Sequence, residues 1–313
     1  MDIKTKQVVY HDWEADHYDA KWSISFDDRC IDYAAGRFRK AVPEPGARYR
    51  DVLEIGTGTG FFILNLAQAG IVERPTVTDI SSGMVAASIA NGRGLGLDVR
   101  GAVADAERLP FPDGSFDLVL GHAVVHHLPD LPAAFAEILR VLRPGGRLVI
   151  AGEPTRIGDR IARQFKRLGR VGVKLAAVVA GVDRVYAEPR AASPEDTAAA
   201  RLEWEVDLHI FSPAELEDLA RAGGFAQVRT ETEELTANWL GWVARTVEGL
   251  VGSERLGPRY AWTVYGAWRR LFAFDERVAA RVFPKGAFYN CVLTGVAPGG
   301  VTEPGATPGE RAW

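Results

Sequence analysis

The stretch Asp51-Val-Leu-Glu54-Ile-Gly56-Thr-Gly58-Thr-Gly60-Phe-Phe passes from an apolar strand, through three glycines at alternate positions, into a helical pattern. Glycine tolerates positive φ and lets a turn approach a ligand closely, and the following helix offers free backbone amides. The spacing differs from the G-x-G-x-x-G dinucleotide fingerprint, because Phe61 stands where that fingerprint has its third glycine. The loop therefore predicts a nucleotide-type cofactor site and disfavours an NAD-dependent oxidoreductase.

Acidic residues follow the next predicted strands. Asp79 lies at the end of an apolar strand predicted over 76–80, where a carboxylate can accept hydrogen bonds from ribose hydroxyls. Asp105 and Ala106 follow a strand predicted over 98–104. Strands alternate with helical patterns from residue 51 to residue 152, which predicts a parallel sheet covered on both faces, with ligands at the carboxyl ends of its strands.

Taken together, these segments resemble class I S-adenosylmethionine-dependent methyltransferases, specifically the methyltransferase type 11 group similar to ubiquinone and menaquinone biosynthesis methyltransferases. The resemblance covers residues 48–153. It implies an α/β fold, a Rossmann-like seven-stranded sheet whose last strand is antiparallel, with helices on both faces and helical lid insertions. The sixth and seventh strands are predicted near 226–234 and 288–296, after a helix that the capping box Ser212-Pro-Ala-Glu215 opens.

The resemblance implies S-adenosylmethionine as the cofactor and assigns residues to it. Glu54 and the glycine loop would meet the methionine portion, Asp79 the ribose, and the residues after it the adenine. His122 would lie beside the transferable methyl group, and a segment such as that around Tyr18 closes over the cofactor in similar proteins. The predicted cofactor-binding set is Glu54, Gly56, Thr57, Gly58, Gly60, Asp79, Ile80, Met84, Asp105, Ala106, His122, Tyr18 and Trp22.

Three histidines are candidate general bases. An alcohol must lose its proton during methyl transfer, whereas a phenolate or an activated ring carbon needs little help. The candidates, in order, are His127, His209 and His126, and a helix that starts at Ala123 would place two of them in its first turn. A hydrogen-bonded structural histidine is the alternative interpretation for each.

Length and composition predict one domain with insertions, since 313 residues with 47% hydrophobic content can bury a large core. The predicted divisions are an N-terminal helical cap (1–47), a cofactor-binding core (48–153), a helical insertion (154–205), a core continuation (206–235), an aromatic-rich helical insertion (236–286), the last core strand (287–297) and a disordered tail (298–313).

The two insertions carry different patterns. The second contains Trp239, Trp242, Trp262 and Trp268, half of the eight tryptophans, which suit either a subdomain core or a pocket for a hydrophobic acceptor. The first carries a basic stripe at helical spacing, made of Arg156, Arg160, Arg163, Arg167, Arg170 and Lys174. Such a stripe could contact an anionic membrane surface or steer an anionic substrate, but a solvated face on a packed lid helix is favoured.

Charge and cysteine content exclude several classes. A formal charge of −4 argues against a nucleic-acid partner. Only Cys30 and Cys291 are present and no Cys/His cluster has zinc spacing, which predicts a reducing cytoplasm and no metal. No apolar run reaches the roughly 18 residues of a spanning helix. We expect a cytoplasmic monomer or homodimer.

The sequence thus predicts an S-adenosylmethionine-dependent methyltransferase that acts on oxygen or carbon of a small hydrophobic acceptor. Secondary metabolites, quinols and lipids are the acceptor types in view. A cofactor-binding regulatory or scaffold protein without turnover is the alternative, and intact cofactor residues do not separate the two.

Overall fold

The computed structural model describes residues 1–15, 18–22, 24–164, 201–251 and 253–299. Arg167, Arg170 and Lys174 of the predicted basic stripe lie outside the described residues, and so does the predicted tail apart from its first two positions. Within the described residues, no helix is both long enough and apolar enough to cross a membrane.

Seven strands form one sheet in the order β3-β2-β1-β4-β5-β7-β6. Strands β1 to β5 are parallel to one another, whereas β7 is antiparallel to both β5 and β6. The predicted seven-stranded sheet with an antiparallel last strand is confirmed. The strand bounds are β1 Tyr49–Ile55, β2 Val72–Asp79, β3 Arg100–Val103, β4 Phe116–His122, β5 Leu142–Pro154, β6 Ala226–Glu233 and β7 Asn290–Val296.

Helices precede the sheet, alternate with its strands and fill the segments outside the minimal core. Their bounds are α1 Ile3–Glu14, α2 Tyr18–Trp22, α3 Asp28–Ala41, α4 Phe61–Gln68, α5 Ser82–Gly94, α6 Leu131–Val141, α7 156–164, α8 Glu203–Val206, α9 Pro213–Ala222, α10 Thr236–Val251, α11 Ser253–Phe274 and α12 Ala280–Val282, where α7 is given as far as it is described. Helix α9 begins with the predicted capping box. Gly257, at φ 68°, and Pro258 kink α11 near its start.

The sheet is buried on both faces because successive side chains of a strand point to opposite sides. In β1, Leu53 packs in the core beneath α6 and α9, whereas Val52 packs in the opposite core beneath α3 and α4. In β4, Val119 joins the first core, and Leu118 and Leu120 join the second. This alternation produces two apolar layers, each closed by helices.

One edge of the sheet collects the carboxyl ends of six strands. Ile55 pairs with Thr78 on one side and with Gly121 on the other, so β1, β2 and β4 end together. Because β7 is antiparallel to both neighbours, β6 runs in the same direction as β5 and ends at this edge as well. The ends of these strands carry Glu54, Asp79, His122, Glu153 and Glu233.

Candidate active site

The glycine loop joins β1 to α4. Gly56, Gly58 and Gly60 have φ values of 54°, 53° and 90°, a region that side chains disfavour. A Cβ atom on Gly56 would lie 2.1 Å from Cγ2 of Val124, and one on Gly60 would lie 2.6 Å from Cδ1 of Leu64. Both the backbone angles and the surrounding space therefore require glycine here.

Glu54 lies beneath this loop and is 1% exposed. Its Oε2 atom accepts hydrogen bonds from Thr57 Oγ1 at 2.9 Å and from the backbone N–H of Ile63 at 3.2 Å. Burial raises the pKa of Glu54 to about 8, against the effect of these two donors. The carboxyl group consequently holds its proton in the free protein near neutral pH.

Asp79, at the end of β2, holds the loop from the neighbouring strand. Its two carboxylate oxygens accept the backbone N–H groups of Gly58 at 3.0 Å and Ser81 at 2.9 Å. Burial raises the pKa of Asp79. Each carboxylate oxygen has a second lone pair, so the two oxygens can also accept hydrogen bonds from the two hydroxyl groups of a vicinal diol.

The predicted adenine side lies beyond Asp79. Met84 is 1% exposed and Ala106 is 8% exposed, while Ile80 is half-buried. Asp105 Oδ1 accepts the backbone N–H of Glu107 at 3.0 Å, and its Oδ2 is 2.6 Å from Lys4 Nζ. Apolar side chains and one carboxylate therefore surround this part of the edge.

The N-terminal cap contacts the same elements. The ring of Tyr18 would lie 3.5 Å from a Cβ atom on Gly58, and it is 6.3 Å from the Trp22 ring. Asp12 of α1 accepts hydrogen bonds from the Ser81 hydroxyl and, at 3.0 Å, from the N–H of Gly83. The cap thus covers the glycine loop and the start of α5.

These residues fit S-adenosylmethionine. Glu54 and the loop backbone can meet its amino-acid portion, and the Asp79 oxygens match the ribose hydroxyls. The glycine loop forms a cradle that a Cβ atom would fill. Thr57 forms part of it, since its N–H donates to Thr78 O at 3.0 Å and its hydroxyl donates to Glu54.

Glu153 organises the loop after β4. It is fully buried, and its oxygens accept the N–H groups of Val124 at 2.9 Å, Val125 at 2.8 Å and His126 at 3.2 Å. The prediction of a helix starting at Ala123 is wrong, because Ala123 has φ 52° and only a short 3₁₀ turn, Val125–His127, follows. The three amides bend toward a carboxylate of the next strand instead of beginning an α-helix.

The same carboxylate orients His126. Nδ1 of His126 lies 2.8 Å from Oε2 of Glu153, so the ring donates from Nδ1, and in the neutral ring Nε2 is the basic nitrogen. Oδ1 of Asp207 lies 3.8 Å from this Nε2 atom. Burial alone would lower the pKa of His126, but the Glu153 carboxylate raises it. This arrangement is a histidine–carboxylate pair of the kind used in general base catalysis.

The other two candidate bases donate to backbone carbonyls. His127 Nδ1 donates to Val206 O at 2.9 Å, and His209 Nε2 donates to Leu128 O at 3.0 Å. Burial, with neighbouring His126, lowers the pKa of His127 well below its usual range. His126, His127 and Asp207 each bring one ligand atom within 4.8 Å of the other two, so these three side chains could together hold a metal ion.

A buried charged cluster at this edge was missed by the sequence analysis. Arg37 of α3 is ion-paired through Nε with Glu233 and through Nη2 with Glu234 at 3.3 Å, and its Nη1 lies 2.8 Å from Nε2 of His122. These three charged residues are at most 5% exposed. The rule that polar residues gather at strand ends could have found Glu233, but nothing local distinguishes Arg37 from Arg39.

Comparisons with known proteins agree with this geometry. A family model described as a methyltransferase domain matches residues 53–150. Nocamycin O-methyltransferase from Saccharothrix syringae is 32% identical over 244 residues, which cover 75% of this chain and 78% of that protein. The chain therefore belongs to the class I S-adenosylmethionine-dependent methyltransferases. Its cofactor is S-adenosylmethionine.

Other relatives match shorter regions. 27-O-demethylrifamycin SV methyltransferase from Amycolatopsis mediterranei is 36% identical over 155 residues, 47% of this chain and 55% of that protein. Demethylmenaquinone methyltransferase from Thermus thermophilus is 38% identical over 103 residues, 33% of this chain and 47% of that protein. The chain thus spans about half the length of these two curated relatives.

Solved structures share the fold. The [4+2]-cyclase SpnF has a TM-score of 0.51 at 24% identity, over 87% of this chain and 81% of that one. Phosphoethanolamine N-methyltransferase 2 from Haemonchus contortus, with S-adenosylmethionine bound, has a TM-score of 0.52 at 15% identity, over 85% of this chain and 52% of that one. At these identities the likeness concerns the fold alone.

Proposed function

We propose that this protein transfers the methyl group of S-adenosylmethionine to an oxygen atom of a small hydrophobic acceptor, of the secondary-metabolite or quinol type. The observation that carries the proposal is that Glu54, the glycine loop and Asp79 lie at the same ends of one sheet as the His126–Glu153 pair. Two relatives, nocamycin O-methyltransferase and demethylmenaquinone methyltransferase, are named for acceptors of this class, which supports the proposal.

The cofactor would be held by residues of β1, β2 and the elements after them. Glu54 and the backbone of Gly56 and Gly58 bind the methionine portion, and Asp79 binds the ribose. Ile80, Met84, Asp105 and Ala106 surround the adenine, while Tyr18 and Trp22 close the site from the cap. The bound cofactor supplies an electrophilic methyl group on a sulfonium, and the protein positions the nucleophile in line with it and excludes water.

The acceptor proton would leave through His126. Nε2 of His126 takes the proton from an acceptor hydroxyl as the new bond to carbon forms, and Glu153 stabilises the resulting imidazolium through Nδ1. The pKa of His127 is lowered by burial, so this ring is a weaker base. We therefore place His126 first, whereas the sequence ranked it after His127 and His209. A hydroxyl acceptor must lose its proton during methyl transfer, so a positioned general base agrees with methylation of oxygen.

Aromatic residues would select the acceptor. Tyr33 of α3 lies 6.1 Å from Phe61 and 5.2 Å from Trp268, between ring centroids, and Phe61 lies 5.2 Å from His122. These rings lead from the strand ends to α11. We infer that the cap, predicted over 1–47, and the insertion, predicted over 236–286, recognise a flat hydrophobic acceptor.

Calorimetry with purified protein tests the proposal in two steps. S-adenosylmethionine and S-adenosylhomocysteine should both bind with micromolar affinity, and NAD should not. Transfer of a labelled methyl group is then measured to menadiol, to 1-naphthol and to decanol, which represent quinols, phenols and aliphatic alcohols. Binding without transfer to any of them would favour the scaffold alternative, and tight NAD binding without S-adenosylmethionine binding would overturn the proposal.

A further inference from the structure

The histidine at the end of β4 has its Nε2 atom occupied by an arginine. Arg37 Nη1 lies 2.8 Å from His122 Nε2. A guanidinium can only donate, so Nε2 must accept and carries no proton. A neutral ring has one N–H group, which then stands on Nδ1.

The guanidinium itself is fixed by carboxylates. Glu233 holds Nε, and Glu234 lies 3.3 Å from Nη2, which leaves Nη1 for His122. Glu234 is held in turn by Asn290, whose amide nitrogen donates to it at 2.6 Å. Its backbone φ of 65° is a strained value for a residue with a side chain. The Tyr33 ring lies 4.2 Å from the guanidinium carbon on another side.

The ring of His122 is also fixed by packing. Phe61 and Phe62 lie 5.2 Å and 5.4 Å from it, between ring centroids. A Cβ atom on Gly152 would lie 2.9 Å from Nε2, so the backbone of β5 closes that side. Within the described part of the chain, Nδ1 of His122 has no hydrogen-bond partner, and the residue is half-buried.

The electrostatic surroundings keep this ring neutral. Burial lowers the pKa of His122 well below its usual range, and positive charge on Arg37 and on His126 lowers it further. The carboxylates nearest to Arg37, those of Glu233 and Glu234, are engaged with the guanidinium and are not in contact with His122. A proton on Nε2 would point at a cation.

We infer that Arg37 is a positioning residue that locks His122 in the neutral Nδ1–H form, so that His122 donates a hydrogen bond to an oxygen of the acceptor and is not its base. The hydrogen bond from His122 to the acceptor rests on the proposed function, whereas the fixed tautomer of His122 does not. This hydrogen bond adds a requirement on the acceptor class, namely an oxygen lone pair, other than the one that attacks the methyl group, that can accept this N–H. Phenols, quinols and hydroxy-carbonyl compounds meet that requirement.

Nitrogen NMR of the histidine side chains in the full chain, saturated with S-adenosylhomocysteine, tests the lock. We expect His122 to show a protonated Nδ1 and an unprotonated Nε2, unchanged between pH 8 and pH 5. In Arg37→Lys, which keeps a cation for the two carboxylates but lacks the guanidinium fork, the ring should titrate closer to its usual range. A protonated Nε2 in the wild type would overturn the lock even if the variant fails to fold, and an unchanged His122 in a folded variant would overturn the role of Arg37.

Two variants of His122 separate a donor from a structural acceptor. His122→Gln keeps an acceptor for Arg37 but lacks the Nδ1 donor, whereas His122→Asn keeps an N–H near Nδ1 and loses the acceptor. On whichever of menadiol, 1-naphthol and decanol the wild type methylates, we expect kcat to fall on the order of 100-fold in the glutamine variant and far less in the asparagine variant. Full activity of the glutamine variant would contradict the donor role, and failure of the wild type on all three probes would count against the proposed function while the NMR result stands.

Discussion

At the scale of single residues, the buried acid Glu54 sets a dependence of stability on pH. Burial raises its folded-state pKa to about 8, above the usual value near 4.3 in an unfolded chain. Between these two values the unfolded chain has released the proton and the folded chain still holds it. The free energy of unfolding therefore falls as pH rises through this window.

Glu54→Gln should remove that loss, because the amide does not titrate. We expect the variant to gain stability relative to the wild type on going from pH 5 to pH 8, by an amount on the order of 3–5 kcal/mol at about 1.4 kcal/mol per pKa unit. Urea unfolding of both proteins at both pH values measures the difference. A constant difference between the two proteins would show that Glu54 ionises normally in the fold.

We predict that turnover depends on His126. Removal of a general base lowers rates by about 10²–10⁴-fold, and we expect this loss of kcat in His126→Ala with the affinity for S-adenosylhomocysteine unchanged. Because the base must be neutral and Glu153 raises its pKa, wild-type kcat should rise with pH across a value above the usual histidine range. His209→Gln, which keeps a donor for Leu128 O, is the matched control and should stay near wild type. An unaffected His126→Ala would remove this residue from the mechanism.

At the scale of elements, local signals predicted the β1–loop–α4 unit and nonlocal contacts decided the loop after β4. The glycine loop could be identified because its turn, its strand and its helix start lie within a dozen residues. The segment after His122 is apolar enough to suggest a helix, but three of its amides bind Glu153, which is a neighbour only after β4 and β5 pair. Arg37 and Glu233 likewise meet only in the folded sheet.

Helix α1 packs against the start of α5, next to the proposed cofactor site. Asp12 joins it to the start of α5 through the Ser81 hydroxyl and the N–H of Gly83. Asp12→Ala removes hydrogen bonds to a charged group, each worth about 1.5–3 kcal/mol, so we expect about a tenfold weaker affinity for S-adenosylhomocysteine and faster amide exchange in α1. Asp98→Ala, an exposed acid near the amino end of β3, is the control. Equal affinities in the two variants would mean that α1 does not support the cofactor site.

At the scale of the whole molecule, the cap and the second insertion are joined outside the sheet. Tyr265 donates to Asp32 Oδ2 at 2.6 Å, and Tyr33 contacts the Trp268 ring. On a second line of contact, Arg245 of α10 lies 5.2 Å from the Trp22 ring of α2. Helices α2 and α3 of the cap and helices α10 and α11 thus contact one another, and we call this aromatic cover the roof. These helices are far apart in sequence, so the sequence could locate the aromatic residues but could not show which of them are in contact.

Trp268 should contribute to acceptor binding and not to cofactor binding, because it lies on the aromatic path through Tyr33 and Phe61 and not beside the glycine loop. Loss of a half-buried aromatic ring costs about 1.5–3 kcal/mol, which corresponds to about a tenfold to hundredfold rise in the KM of the acceptor for Trp268→Ala. Trp262→Ala is the matched control on the same helix, since that ring is 50% exposed. Steady-state kinetics measures the KM of whichever acceptor the wild type methylates, and calorimetry measures the affinity for S-adenosylhomocysteine. A rise in KM with unchanged cofactor affinity places acceptor recognition in the roof, whereas parallel losses of both would mean that Trp268 supports only the packing of the cap.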